Sequence, residues 1–216
     1  MSSSCLDHLV VAAKTLEQGA AYIREKLGVE MQVGGQHPRQ GTHNLLLKLG
    51  QDHYLEVIAI DPTGAKPIQP RWFDLDSPTL QEKLRERPRL ITWVARADDI
   101  QTLVRQCKIN LGPVQSMCRG QLNWQITIPQ DGALIFEGLV PALIEWDTDQ
   151  HPVKNMRDSG CFLATLEGYH HNPNLLQEAL TSLGLVSEME IKSTGSKTAP
   201  TLKAQIDTPT GRIVLD

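Results

Sequence analysis

Several things are scarce in this sequence, and each scarcity excludes a class of protein. Aromatic residues make up only 5% of the chain. No apolar run approaches the roughly 18 residues of a membrane span, so no transmembrane helix is expected. The four cysteines (Cys5, Cys107, Cys118, Cys161) form no CxxC pair. They read as reduced thiols of a cytoplasmic protein rather than a disulfide framework or zinc ribbon. Basic residues are outnumbered, 21 Lys and Arg against 25 Asp and Glu, for a net charge of −4. A nucleic-acid or anionic-membrane binder would need the opposite balance. The opening MSSSCLDHLV has neither a basic n-region nor a long apolar h-region, so no secretory signal is expected. GxSxG and HExxH are absent, and the Gly-rich stretch GGQHPRQG lacks the Lys-Ser/Thr of a phosphate-binding loop. That stretch reads as a flexible lid.

What is present is a core and a repeat. The chain has 216 residues, 40% of them hydrophobic. This suffices for one large domain or two small ones that bury roughly 70% of the unfolded chain's surface. Residues 5–12 (CLDHLVVA) read as a strand. Thr15, with Gln18 three residues on, marks a helix start; Leu16, Ala20, Ile23 and Leu27 share one face, and Gly28 stops it. Residues 29–33, THNLLLKLG and HYLEVIAID then supply three strands, the last two joined as a hairpin through Gly50-Gln51-Asp52. The unit is β-α-β-β-β over residues 5–61.

The same order returns over residues 89–148. RLITWVAR is the strand and Asp98 or Asp99 the cap of a helix with Ile100, Leu103, Val104 and Cys107 inward. PVQSMC, QLNWQITIP and ALIEWD are the remaining strands. A third copy occupies 160–216, with Asn172-Pro173 starting its helix and Leu176, Ala179, Leu180 and Leu183 on the buried face. Residues 62–88 form a connector whose second half, from Ser77-Pro78, is a short helix with Leu80 and Leu84 inward.

With its opening LDHLVVA, the hairpin GTHNLLLKLG–YLEVIAID, the connector segment RWFDL and the strands LNWQITIP and PALIEWD, the sequence resembles the vicinal oxygen chelate superfamily, and within it the glyoxalase-like proteins. The resemblance covers residues 5–148. It implies an α+β fold in which paired βαβββ modules make a curved mixed sheet around a concave cavity. It further implies a divalent metal in that cavity, held by residues of the first and last strands of each module.

Aligning the copies gives His8, Glu56, Thr92 and Glu145 at those four positions. Thr92 departs from the His/Glu/Gln pattern, because a hydroxyl is a poor ligand for a divalent ion. His8, Glu56 and Glu145 remain as the expected metal ligands, suited to Fe, Mn, Co or Ni, with Zn also open. The third copy offers Ala164 and Val214 there, neither a ligand. An ionised Glu inside an apolar strand is costly unless paired, which singles out Glu56 and Glu145 as catalytic carboxylates. His43 is assigned to the substrate, with Asn44 the inward residue on the opposite parity. Trp124 is expected to wall the cavity beside Thr92. Arg71 either clamps a substrate carboxylate or pins the connector. His53 is expected to be solvated, and His170-His171 to be a helix-start turn.

The expected function is a metal-dependent lyase or isomerase of the glyoxalase I type, acting on a small oxygen-rich molecule by chelation and carboxylate proton transfer. The alternatives are a metal-free small-molecule binding protein and an extradiol-type dioxygenase. A small-molecule substrate is the expected partner, with no nucleic acid and no membrane. An exposed sheet edge invites a homodimer.

Overall fold

A computed structural model describes residues 3–147, 151–196 and 198–216. The elements in chain order are β1 (Ser4–Ala12), α1 (Leu16–Leu27), β2 (Gln32–His37), β3 (Thr42–Leu49), β4 (His53–Ile60), α2 (Pro78–Glu86), β5 (Arg89–Ala97) and α3 (Ile100–Gln106). There follow β6 (Val114–Arg119), β7 (Leu122–Thr127), β8 (Ala142–Trp146), β9 (Phe162–His170), α4 (Pro173–Ser182), β10 (Glu190–Ser193), β11 (Thr201–Thr208) and β12 (Gly211–Leu215). Thr148, the expected bound of the second module, lies outside the described residues.

The helix signals act as their chemistry requires. The Thr15 side chain accepts a hydrogen bond from the Gln18 N–H, and Gly28 closes α1 in the left-handed region at φ 71°. Ser77, Asp99 and Asn172 cap α2, α3 and α4 in the same way. Gly19 lets α1 press onto the sheet, because a Cβ there would sit 2.3 Å from Val57 Cγ1.

The first eight strands form one sheet in the order β2-β3-β4-β1-β5-β8-β7-β6. In each half the first strand lies parallel to the fourth, β1 with β4 and β5 with β8. The halves join through the antiparallel pair β1–β5. The sheet curls until its two edges approach. The Arg39 guanidinium, in the turn after β2, donates to the Ser116 carbonyl of β6, and a Cβ on Gly35 would meet Arg119 Cδ at 2.9 Å.

Residues 160–216 repeat the element order but not the pairing. Their sheet runs β10-β9-β11-β12, with β9 parallel to β10 and antiparallel to β11. In the first two units the opening strand pairs with the last strand. Here it takes the strand straight after the helix on one side and β11 on the other. This unit therefore makes a sheet of its own rather than another half of the curved one.

Side chains alternate across the large sheet and so build two separate cores. The outer face (Leu9, Val11, Leu55, Val57, Trp93, Leu143) packs against α1 and α3 and against Leu176, Leu180, Leu202 and Ile206 of the C-terminal unit. The inner face (Val10, Ile58, Val94, Trp124, Ile126, Ile144) packs on Trp72 and Phe73 of the connector. The C-terminal unit thus backs the sheet, leaving the concave side to the connector.

Candidate active site

The site starts from an irregularity in β1. Leu6 pairs with Ala95 and His8 with Val94, so Asp7 has no partner on β5. Successive strand residues normally face opposite ways; the extra residue of a bulge re-aims one of them. Asp7 and His8 meet as a result, with Asp7 Oδ1 2.7 Å from His8 Nδ1. The other carboxylate oxygen accepts from Trp146 Nε1 at 3.1 Å and lies 2.8 Å from His151 Nε2. Asp7 has no exposure at all. Burial raises its pKa, but the hydrogen bonds from His151 and His8 outweigh burial and hold the carboxyl well below the ordinary range. It is a fixed negative charge that sets the orientation of His8.

The imidazole of His8 stacks on Tyr54 with ring centroids 4.5 Å apart. Its Nε2 lies 3.7 Å from Glu56 Oε2, too far for a hydrogen bond and close enough for both to reach one reacting atom. Glu56 is oriented in turn. Asn44 Nδ2 donates to its Oε1 at 2.5 Å, and Asn44 Oδ1 accepts the Gly35 N–H at 2.9 Å. The second bond fixes which way the amide points. Gly34 makes the arrangement possible, because a Cβ there would lie 2.1 Å from Asn44 Oδ1.

His8 and Glu56 open on a hollow walled by Tyr54, Trp72, Phe73, Trp124, Ile126, Ile144 and Trp146, with His37 and Arg119 completing it. As it stands the hollow has room for a single water, about 20 Å³. His37 meets Trp72 edge-on at 5.0 Å and Trp124 at 6.1 Å, and its Nδ1 lies 3.1 Å from Thr42 Oγ1. Burial, reinforced by the positive charge of Arg119, drives its pKa down to about 3, so the ring stays neutral. Tyr54 keeps its proton, its pKa raised by burial and then by Asp7 and Glu56.

Only part of the expected site converges. His8 and Glu56 meet, and Trp124 lines the hollow they open on. Glu145 does not join them. It faces the outer side of β8, where its Oε2 accepts the Ile100 N–H at 2.7 Å, while its neighbours Ile144 and Trp146 point inward. Thr92 lies on the concave side but borders an adjoining hollow, its hydroxyl donating to the Gly138 carbonyl at 3.0 Å. His43 is half-buried on the face opposite Asn44, so Asn44 is the inward residue. Arg71 pins the connector: it is buried, 2.6 Å from Asp76 Oδ1, and does not line the hollow. GGQHPRQG is no lid over its first half, since Gln32–His37 is strand β2. His53 is half-buried rather than solvated, with Nδ1 3.1 Å from the Leu6 carbonyl. His170 is the last residue of β9 rather than part of the turn, with its Nδ1 against the Asn172 backbone at the start of α4.

Asp7, His37, His151 and Arg119 went unnoticed in the sequence. Asp7 and His8 are adjacent, and alternation assigns them to opposite faces. His151 and His37 stand in stretches that read as linker and loop. The donor set also bears on the expected metal. A divalent ion needs three or four donors around one point. Here the first module supplies His8 and Glu56, with His37 also on the lining but its Nδ1 against Thr42 Oγ1, and the second supplies only aromatic and aliphatic walls and a cation, Arg119. Among the described residues no three His, Cys, Asp or Glu side chains are grouped to hold an ion. The residues present do not fit a resident divalent metal. A larger groove of about 520 Å³ between α2 and the C-terminal sheet shares no lining residue with the hollow, and its Arg87 is paired with Asp216.

Two βαβββ halves in one curved sheet, closed around a buried His–Glu pair, define a protein of the vicinal oxygen chelate fold. The chain belongs to the glyoxalase-like domain family, whose model matches residues 6–184. Its fold is shared with a hypothetical protein from Staphylococcus aureus, at a TM-score of 0.58 and 16% identity over 98% of this chain and 84% of that one. Methylmalonyl-CoA epimerases are more distant. The Mycobacterium tuberculosis structure has a TM-score of 0.40 and 16% identity over 66% of this chain and 86% of that one. A Streptomyces coelicolor structure has 0.41 and 15% over 67% and 98%. No curated protein matches the sequence. Among the described residues no helix is long and apolar enough to cross a membrane.

Proposed function

We propose that this protein is a lyase or isomerase that moves a proton at a carbon beside a carbonyl group in a small oxygenated molecule, with Glu56 and His8 as the acid–base pair and no resident metal. The observation that carries this reading is the 3.7 Å approach of His8 Nε2 and Glu56 Oε2, each held from behind, one by Asp7 and the other by Asn44. Glu56 Oε2 removes the proton. The C–H electron pair becomes the enolate double bond, and the carbonyl π pair moves onto oxygen. Protonated His8 gives a proton back to the same carbon as the electron pair returns from oxygen and the carbonyl re-forms, so that carbon exchanges its hydrogen or inverts. The aromatic walls exclude water and keep competing protons out.

The test is hydrogen exchange. A panel of hydroxyaldehydes, hydroxyketones and oxo acids is incubated with the protein in D2O and followed by NMR. Exchange at the carbon beside the carbonyl is expected, reduced about 10²- to 10⁴-fold in His8→Gln and in Glu56→Gln. Dialysis against a chelator is expected to leave it unchanged. A second reading, a metal-free binding protein, is favoured by the aromatic lining of the hollow. Ligand binding without exchange in the wild type would establish it in place of the first.

A further inference from the structure

The hollow has donors that the protein leaves unused. Arg119, on the edge strand β6 and paired through its backbone with Leu122, borders it, and its guanidinium has no hydrogen bond or ion pair among the described residues. A guanidinium offers five N–H donors in a fixed planar fork. Trp72 stands between this hollow and the adjoining one beside Thr92. That side chain is only 4% exposed, and its indole N–H is buried with no acceptor. A buried N–H without an acceptor is costly and uncommon, so such groups call for an explanation. The carboxylates nearby do not supply one. Asp7 is engaged by two histidines and Trp146, and Glu56 by Asn44. The backbone also makes room for the cation, since any side chain at Gly35 would press on the Arg119 stem.

We infer that the ligand of this hollow is a small 2-oxo acid bearing hydrogen on C3, its carboxylate paired with Arg119 and its oxo group accepting from Trp72, so that the C3–H faces Glu56 and His8. This rests on the proton-transfer reading above and names its substrate class. Two unused donors match the two acceptor groups of a 2-oxo acid. A planar molecule suits walls built from Trp124, Trp146 and Tyr54. The hollow as it stands holds only about 20 Å³, so on this proposal the half-exposed Arg119 side chain swings aside on its sheet edge to admit the ligand and returns onto the carboxylate.

Three probes of like size separate the parts: 2-oxobutyrate, butan-2-one without the carboxylate, and butyrate without the oxo group. Calorimetry measures binding and NMR in D2O measures C3 exchange. 2-Oxobutyrate is expected to bind most tightly. Arg119→Ala is expected to weaken it about 10- to 100-fold, the range for a charge-assisted hydrogen bond at 1.4 kcal/mol per decade. Arg119→Lys should recover part of the loss, and butan-2-one should not respond to either change. Unfolding curves of the variants confirm that the fold is kept. Equal binding of 2-oxobutyrate by wild type and Arg119→Ala overturns the proposal, as does equal binding of the ketone, or no binding of any probe. Tight, Arg119-dependent binding with no exchange keeps the anion site and sinks the proton-transfer reading instead.

Discussion

Asp7 and His8 are neighbours in the chain and partners in space, with Oδ1 and Nδ1 2.7 Å apart on a strand whose geometry should have separated them. The bulge in β1 produces the contact, and Asp7 extends it to His151 beyond the second module. Removing Asp7 leaves the groups it holds, Trp146 Nε1 and the imidazoles of His8 and His151, without their partner. Asp7→Ala is expected to lower stability by about 1–3 kcal/mol. Urea unfolding checks this, and a loss under 1 kcal/mol would mean that the network is slack.

Stability should also fall with acid in a way traceable to His37. Its ring is neutral in both states above pH 6.5. Below that the unfolded chain takes up a proton that the fold refuses down to about pH 3. Stability is therefore lost as pH falls through this window, by up to about 1.4 kcal/mol per unit. Asp7, with its carboxyl held low, adds a further loss only below its unfolded value near 3.8. His37→Asn should unfold with a shallower pH slope between pH 6.5 and 4.5. Parallel curves for the two proteins would show that His37 protonates freely in the fold.

The Gly34–Asn44 contact predicts a coupled pair of effects. Gly34→Ala drives a Cβ into Asn44 Oδ1 and is expected to cost about 1–3 kcal/mol. In the Asn44→Ala background much of that clash is gone, so the double variant should lose less than the sum of the singles. Additive losses would place the strain elsewhere, on Leu46, whose Cγ a Cβ there would meet at 3.0 Å.

Glu145 and Glu56 should behave differently although both are strand glutamates. Glu145→Ala removes the acceptor of the Ile100 N–H at the start of α3 and should cost about 1 kcal/mol while leaving proton exchange at wild-type rate. Glu56→Gln should do the reverse, lowering exchange about 10²- to 10⁴-fold with little change in the urea midpoint. A drop in exchange for Glu145→Ala matching that of Glu56→Gln would bring Glu145 back into the site.

By itself the sequence determined the elements and the two-fold repeat. Caps at Thr15, Ser77, Asp99 and Asn172, stops such as Gly28, and apolar spacing act within a few residues, so local chemistry suffices. It also marked His8 and Glu56, since a buried polar side chain in an apolar strand needs a partner. Which face each strand turns inward was left to the tertiary structure. β4 is buried on both faces, so its apolar pattern carries no alternation against which β8 could be aligned, and a one-residue offset sent Glu145 outward. The pairing β9 chooses, the bulge that turns Asp7 toward His8, and the meeting of Arg119 with Gly35 likewise depend on strands far apart in the chain. Hydrogen-bond register between such strands is settled only when whole faces pack, and no short stretch of sequence contains that information.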